Sequence, residues 1–233
     1  MMRLDKYISR FTNLSRKTVK KRIRSGRVKI NGIIVTDPSE KLNDDDVVTF
    51  DNKIVVPYGN VYVLLNKPVG YVCSRNEQEG PTVFSLVNEI YEKELSIAGR
   101  LDKDARGIII LTNDGKFLYH CINPKFNVKK EYIVTVSEEL KVQQLEQLLS
   151  GIRLNNEIYR ADEIEWRAPH RFRIVLTEGK FHEIKKMVEF LGSETIDIFR
   201  VRIGDLDLPK SLNEGEYKEL TPQEAKKITP YMG

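Results

Sequence analysis

Four aliphatic residues in a row, Ile108-Ile109-Ile110-Leu111, constrain this chain more than any other stretch. The run is strand-sized and fully apolar, and Thr112-Asn113-Asp114-Gly115 closes it, so it reads as a buried strand. Directly before it lies Gly99-Arg100-Leu101-Asp102-Lys103-Asp104-Ala105-Arg106-Gly107, a charged loop. Arg100 and Asp102 stand two residues apart there. A charged loop on a rigid strand is where catalytic groups tend to sit. An ordinary surface ion pair at a strand entry would have the same local sequence.

Composition narrows the setting. The chain has 233 residues, 40% of them hydrophobic and 9% aromatic, which suits one large or two smaller globular domains. Its apolar runs are strand-sized, far from the length of a membrane span. The N-terminus turns polar at once, without an apolar signal core. Cys73 and Cys121 are the only cysteines and stand in unrelated contexts, so reduced thiols in a cytoplasmic protein are expected. The charge is unevenly spread. Residues 1–30 hold eleven Lys or Arg and one acid, a net +10, whereas the whole chain carries +4 and residues 31–233 therefore −6. A basic head on a mildly acidic body points to a polyanion-binding module.

Leu4, Tyr7, Ile8 and Phe11 share one face of a short helix. Ser15 is a good N-cap for a second helix over 16–25, with Val19 and Ile23 inward and Gly26 as its stop. Arg16, Lys17, Lys20, Lys21, Arg22 and Arg24 cover the rest of it. A charge run is often only a solvated face, but this one falls on a single short helix beside a strand, which favours phosphate binding. Asn31-Gly32 between Val28-Lys29-Ile30 and Ile33-Ile34-Val35 marks a hairpin. Val47–Phe50 is a further strand, and residues 51–60 lose the basic bias and read as a linker.

The second part opens with a buried strand at Tyr62–Leu65 and a turn at Lys67-Pro68-Val69-Gly70, which leaves Lys67 near the loop. Helices are expected over Val83–Ile90, over Phe117–Cys121 and, capped by Ser137, through Val142, Leu145 and Leu148. Tyr132 enters the strand Ile133–Val136 and could be a plain core aromatic. In Glu178-Gly179-Lys180-Phe181-His182-Glu183-Ile184-Lys185-Lys186-Met187, helical spacing puts Lys185 and Lys186 early in a helix. Cations are disfavoured there, so a compensating anion is expected. His182-Glu183 begins like a zinc-protease motif, but position 186 is Lys and the match fails. No phosphate-cradling or nucleophile-elbow pattern appears either.

These stretches resemble known families. Residues 2–48, with Arg-Leu-Asp-Lys at the start and Val-Lys-Ile-Asn-Gly at the hairpin, are similar to the S-four-like RNA-binding domain, the α-L motif. Lys67–Gly70, Gly99–Asp102 through Gly115, Lys130-Glu131-Tyr132 and Glu178–Met187 together resemble pseudouridine synthases of the RsuA type. The resemblance implies an α+β chain. Residues 1–50 would form the RNA-binding domain, 51–60 the linker, and 61–233 a catalytic domain with a mixed, mainly antiparallel sheet flanked by helices. It implies isomerisation of uridine to pseudouridine in ribosomal RNA by base flipping, with no cofactor and no metal. Asp102 matches the catalytic aspartate, Tyr132 the tyrosine packed on the target base, and Lys185 the basic partner of the aspartate. Arg100 matches the arginine that holds the flipped nucleotide, while Lys67 and Ile184 match the pocket wall. Arg16, Lys17, Lys20, Lys21 and Arg24 would bind RNA. Asp104 is expected to be a plain loop acid.

The chain departs from the family at Ala105, where Thr is usual. This implies one loop hydrogen bond fewer, and Arg106 is expected to add a cation near Asp102. Val69–Ser74, Phe181–Met187, Arg202–Gly204 and Gly215–Thr221 look most like the small-subunit (16S) branch. A large-subunit synthase and a non-catalytic rRNA-binding assembly factor are the alternatives. The expected setting is an assembling ribosomal subunit, with the protein a monomer and no membrane involved.

Overall fold

A computed structural model describes residues 1–231. They divide into two compact units: residues 1–59 with 88–94, and residues 60–87 with 95–231.

In the first unit the helices Leu4–Arg10 and Arg16–Arg24 enclose Leu4, Ile8, Val19 and Ile23, all fully buried. Ser15 caps the second helix as expected, its Oγ accepting from Thr18 N at 3.2 Å. A four-stranded sheet runs in the order Ile33–Ile34, Val28–Ile30, Val48–Phe50, Lys53–Ile54. Asn31 and Gly32 both take positive φ, 51° and 82°, the geometry a tight hairpin requires. The stretch read as linker is partly structured. Lys53–Ile54 pairs along Val48–Phe50, and Val55 joins the core. The segment 88–94 packs here as well, through Glu94 on Arg10 (2.8 Å) and Tyr91 edge-on to Tyr58.

The second unit is built on a nine-stranded, mainly antiparallel sheet. Its main path is Glu163–Ala168, Arg171–Leu176, Lys130–Val136, Thr195–Ile203, Arg106–Thr112, Tyr62–Lys67, Tyr217–Glu219. Tyr62–Lys67 is buried at every residue and Arg106–Thr112 from Gly107 onward, as continuous apolar runs should be. Thr195–Ile203 meets Arg106–Thr112 in parallel, through Phe199↔Arg106 and Arg200↔Gly107. Gly107 is obligatory at that crossing. Its φ is +107°, and a Cβ would stand 2.2 Å from the Arg200 carbonyl oxygen.

Two expected helices come out differently. Val83–Leu86 is one 3₁₀ turn, because Val83 N is drawn to the Val72 carbonyl. Ser137 caps nothing: Glu138 N donates to Ser193 Oγ and Glu194 N to Ser137 Oγ. Those bonds hold residues 137–138 to a neighbouring loop, so the helix starts only at Val142. No helix among the described residues is long and apolar enough to cross a membrane.

Candidate active site

Four segments of the second unit converge on one cleft. Arg100, Leu101, Asp102, Ala105, Tyr132, Ile184 and Lys185 line it, with Lys180, His182 and Glu183. Five of the six expected pocket residues thus come together. Asp102 sits in the loop that enters Arg106–Thr112, with its side chain 32% exposed. Tyr132 lies on Lys130–Val136, whose burial alternates strictly, so Lys130, Tyr132, Val134 and Val136 share one face. Ile184 and Lys185 occupy the first turn of the helix Glu183–Phe190. His182 takes the left-handed conformation (φ 54°) at its N-cap, and the Glu183 carboxylate accepts from Lys180 N at 3.0 Å, closing the preceding turn. Burial raises the Glu183 carboxyl above the usual carboxylate range.

Lys185 Nζ stands 3.5 Å from Asp102 and 2.7 Å from Asp104. The helix-start cation has therefore found its anions, but the closer one is Asp104, which also accepts a second contact at 2.8 Å. Asp104 is more than a loop acid. It holds the Lys185 ammonium, and although some burial opposes it, the lysine draws its carboxyl below the ordinary range. His182 Nε2 comes within 3.8 Å of Asp102, so the carboxylate lies between an imidazole and an ammonium.

Lys67 is the one expected pocket residue that the cleft leaves out. It is fully buried, with its ammonium bonded to the carbonyls of Ala105 (2.5 Å), Pro68 (3.1 Å) and Lys103 (3.4 Å). It is a clamp beneath the loop and does not line the cleft. Burial lowers its pKa. Backbone bonds complete the clamp: Ala105 N to Asp102 O, and Gly70 N to Lys103 O at 2.7 Å. The loop is closed without the hydroxyl that Ala105 lacks. Arg106 also departs from expectation. It turns away to Asp197 and Glu214, at 2.9 Å each, and lies 4.0 Å over the Phe199 ring, so it adds no cation beside Asp102.

Sequence reading gave no role to Arg200, nor to Lys130 within the Lys130-Glu131-Tyr132 motif. Arg200 is 1% exposed and donates to the carbonyls of Ile108 (2.7 Å), Gly99 (3.0 Å) and Arg100 (3.3 Å), so it fixes the approach to Asp102 from the neighbouring strand. Nothing local marked it, because its role depends on a parallel pairing across about ninety residues of chain. The place of Lys130 beside the cleft was legible. It stands two residues before Tyr132, and strand periodicity puts both on one face.

In the first unit, the buried Asp5 carboxylate draws Arg3 (3.2 Å), Arg16 (3.0 Å) and Lys20 (3.7 Å). Burial alone would raise that carboxyl, yet the Arg16 and Arg3 hydrogen bonds bring it down to about 2. Lys17, Lys21 and Arg24 are exposed and have no carboxylate within 4 Å among the described residues. Of the five residues expected to bind RNA, these three present free charge, while Arg16 and Lys20 are partly committed to Asp5.

Comparison with known proteins agrees with this arrangement. The family model described as RNA pseudouridylate synthase matches residues 61–190, and that of the S4 domain matches residues 2–48. The ribosomal small subunit pseudouridine synthase A of Yersinia pestis is 36% identical over 226 residues, 96% of each chain. Its namesake from Escherichia coli strain K12 is 34% identical, covering 96% of this chain and 98% of that one. A crystal structure of a pseudouridylate synthase superposes with a TM-score of 0.70 at 33% identity, over 98% of this chain and all of that one. With a family model over more than half its length and relatives above 30% identity along nearly all of it, this chain belongs to the RNA pseudouridylate synthase family.

Proposed function

We propose that this protein isomerises uridine to pseudouridine in small-subunit ribosomal RNA, using Asp102 as the essential carboxylate. The observation that carries the reading is the convergence of Asp102, Tyr132 and Lys185, from three separate elements, on one cleft. The names of the full-length relatives support the small-subunit target. The isomerisation exchanges the N-glycosidic bond of uridine for a C-glycosidic one, so the base must first leave its stack. Tyr132 supplies a ring face for the turned-out base. Exposed Arg100 reaches for the flipped nucleotide, and Ile184 forms an apolar wall. Lys185 keeps a cation beside the Asp102 carboxylate, the group placed to act as nucleophile or base.

Residues 1–50 would serve as the RNA-binding domain and 61–233 as the catalytic domain. Lys17, Lys21 and Arg24 would contact phosphates, with Arg16 and Lys20 as weaker contributors. The protein would act as a monomer in the cytoplasm, on RNA within an assembling subunit.

Pseudouridine mapping of total rRNA with and without the protein tests activity and target together. One small-subunit position should lose its modification on deletion and regain it with wild type. Asp102→Asn should not restore it, while still binding the RNA within a few-fold of wild type. Restoration by Asp102→Asn would sink the assignment. Loss at a large-subunit position would move the target, and an unchanged map would leave only a binding role.

A further inference from the structure

A second cavity, about 530 Å³, is also lined by Tyr132 and shares Arg100 and Lys180 with the cleft. Its lining holds two buried cations, Lys130 (7% exposed) and Arg200 (1%). They sit close together: a Cβ built on Gly99 would be 4.0 Å from Lys130 Cε and 3.9 Å from Arg200 Nη1. Among the described residues neither has a carboxylate within 4 Å. Two adjacent buried like charges with no carboxylate within 4 Å are expensive; Glu183 and Asp162 attract Lys130 only from farther off, and carbonyl dipoles offset only part of the cost. Lys130 Nζ donates to the Val128 carbonyl at 3.1 Å and the Thr177 carbonyl at 3.0 Å, and Arg200 to three carbonyls. An ammonium has three donors and a guanidinium five, so both have donors beyond those the carbonyls take. At the rim, exposed Arg100 adds a third cation, while Lys180 is neutralised by Glu178 at 2.7 Å. The cavity is therefore lined by buried cations and adjoins the cleft, with Tyr132 in the lining of both.

We propose that this cavity receives a phosphodiester of the substrate RNA adjoining the nucleotide turned into the Asp102 cleft, with Lys130 and Arg200 as its counter-charges. The proposal rests on the RNA-modifying reading above and adds to it a place for the neighbouring backbone. The logic is charge matching. A phosphate offers the oxygens that these donors take, and its charge relieves the repulsion between the two cations. Turning a nucleotide out requires its flanking phosphates to be held, so an anion site beside the base pocket positions the strand.

The test uses the full chain and a substrate RNA fragment carrying one neutral methylphosphonate linkage at a time. With wild-type protein, affinity should fall about tenfold at one or two linkages next to the target and change little elsewhere. Lys130→Met should bind the all-phosphate RNA about tenfold more weakly and be indifferent to methylphosphonate at those linkages, and Lys130→Arg should recover the dependence. A flat methylphosphonate scan with wild type overturns the proposal, and that arm needs no mutant. Equal sensitivity of Lys130→Met and wild type also overturns it. Inorganic phosphate is titrated in parallel. If Lys130→Met loses phosphate binding but keeps the wild-type RNA profile, the cavity is a free-anion site and the assignment to RNA fails. Absence of any pseudouridine product from wild-type protein would instead defeat the underlying reading, so the two failures are distinguishable.

Discussion

At the scale of single residues, the Asp102 cleft depends on which carboxylate each cation meets. Lys185 bonds Asp104 at 2.7 Å and faces Asp102 at 3.5 Å. Lys185→Met should therefore lower kcat at least tenfold, about 1.4 kcal/mol of barrier, in a single-turnover assay. Asp104→Asn should stay within a few-fold of wild type, since Asp102 keeps the lysine. Lys130 carries the opposite sign of stability. Burial first, and then Arg200, hold its ammonium down to about 8, against 10.5 when exposed. Between those values the unfolded chain binds the proton more tightly, so stability rises as pH climbs from 8 to 10.5 and the full cost is present below 8. Melting temperature should show it: Lys130→Met should be more stable than wild type at pH 7, by at most roughly 3 kcal/mol, and the gap should close toward pH 10.

At the scale of elements, the crossing of Thr195–Ile203 with Arg106–Thr112 decides whether the site exists. A methyl group at residue 107 would overlap the Arg200 carbonyl and occupy an unfavourable φ. Gly107→Ala should cost more than about 3 kcal/mol by denaturant unfolding, or prevent folding altogether. The N-terminal helix pair has its own keystone. Asp5 is fully buried among three cations, and its carboxyl sits at about 2 against 3.8 in a free chain. Its stabilisation is complete above about pH 4 and is lost as pH falls through 2. Asp5→Asn should destabilise the first unit by about 2–4 kcal/mol at pH 7 and by much less at pH 2, as read by circular dichroism.

Over the whole molecule, charge is segregated by function. The head is +10, and the buried cations of the body, Lys67, Lys130 and Arg200, lie beneath the Asp102 loop or line the second cavity. Replacing Lys17, Lys21 and Arg24 together by Gln should weaken RNA binding and reduce the slope of log K against log salt by about two to three units, at ~0.7–0.9 per phosphate contact. An unchanged slope would mean that this face does not touch the backbone. Lys20 is left out of this set because its proximity to Asp5 makes it a weaker lever than Lys17.

The sequence by itself determined the basic head, the hairpin at Asn31-Gly32 and the buried strands, because periodicity and turn chemistry are local, while the α+β class came from the resemblance of its motifs to a known family. Its motifs also carried Asp102, Tyr132, Lys185, Arg100 and Ile184 into one site, and the structure brings all five to one cleft. What it left open depends on pairing between distant segments. That Lys67 lies beneath the loop, that Arg106 turns to Asp197 and Glu214, and that Asp104 takes the nearer bond to Lys185 are outcomes of sheet order and register. The same holds for Arg200, an unremarkable residue in a strand until a parallel neighbour brings Gly107 against its backbone and Gly99 against its guanidinium. Local patterns specify which residues form a strand. Only tertiary packing decides which buried charge meets which carbonyl, because that partner comes from elsewhere in the chain.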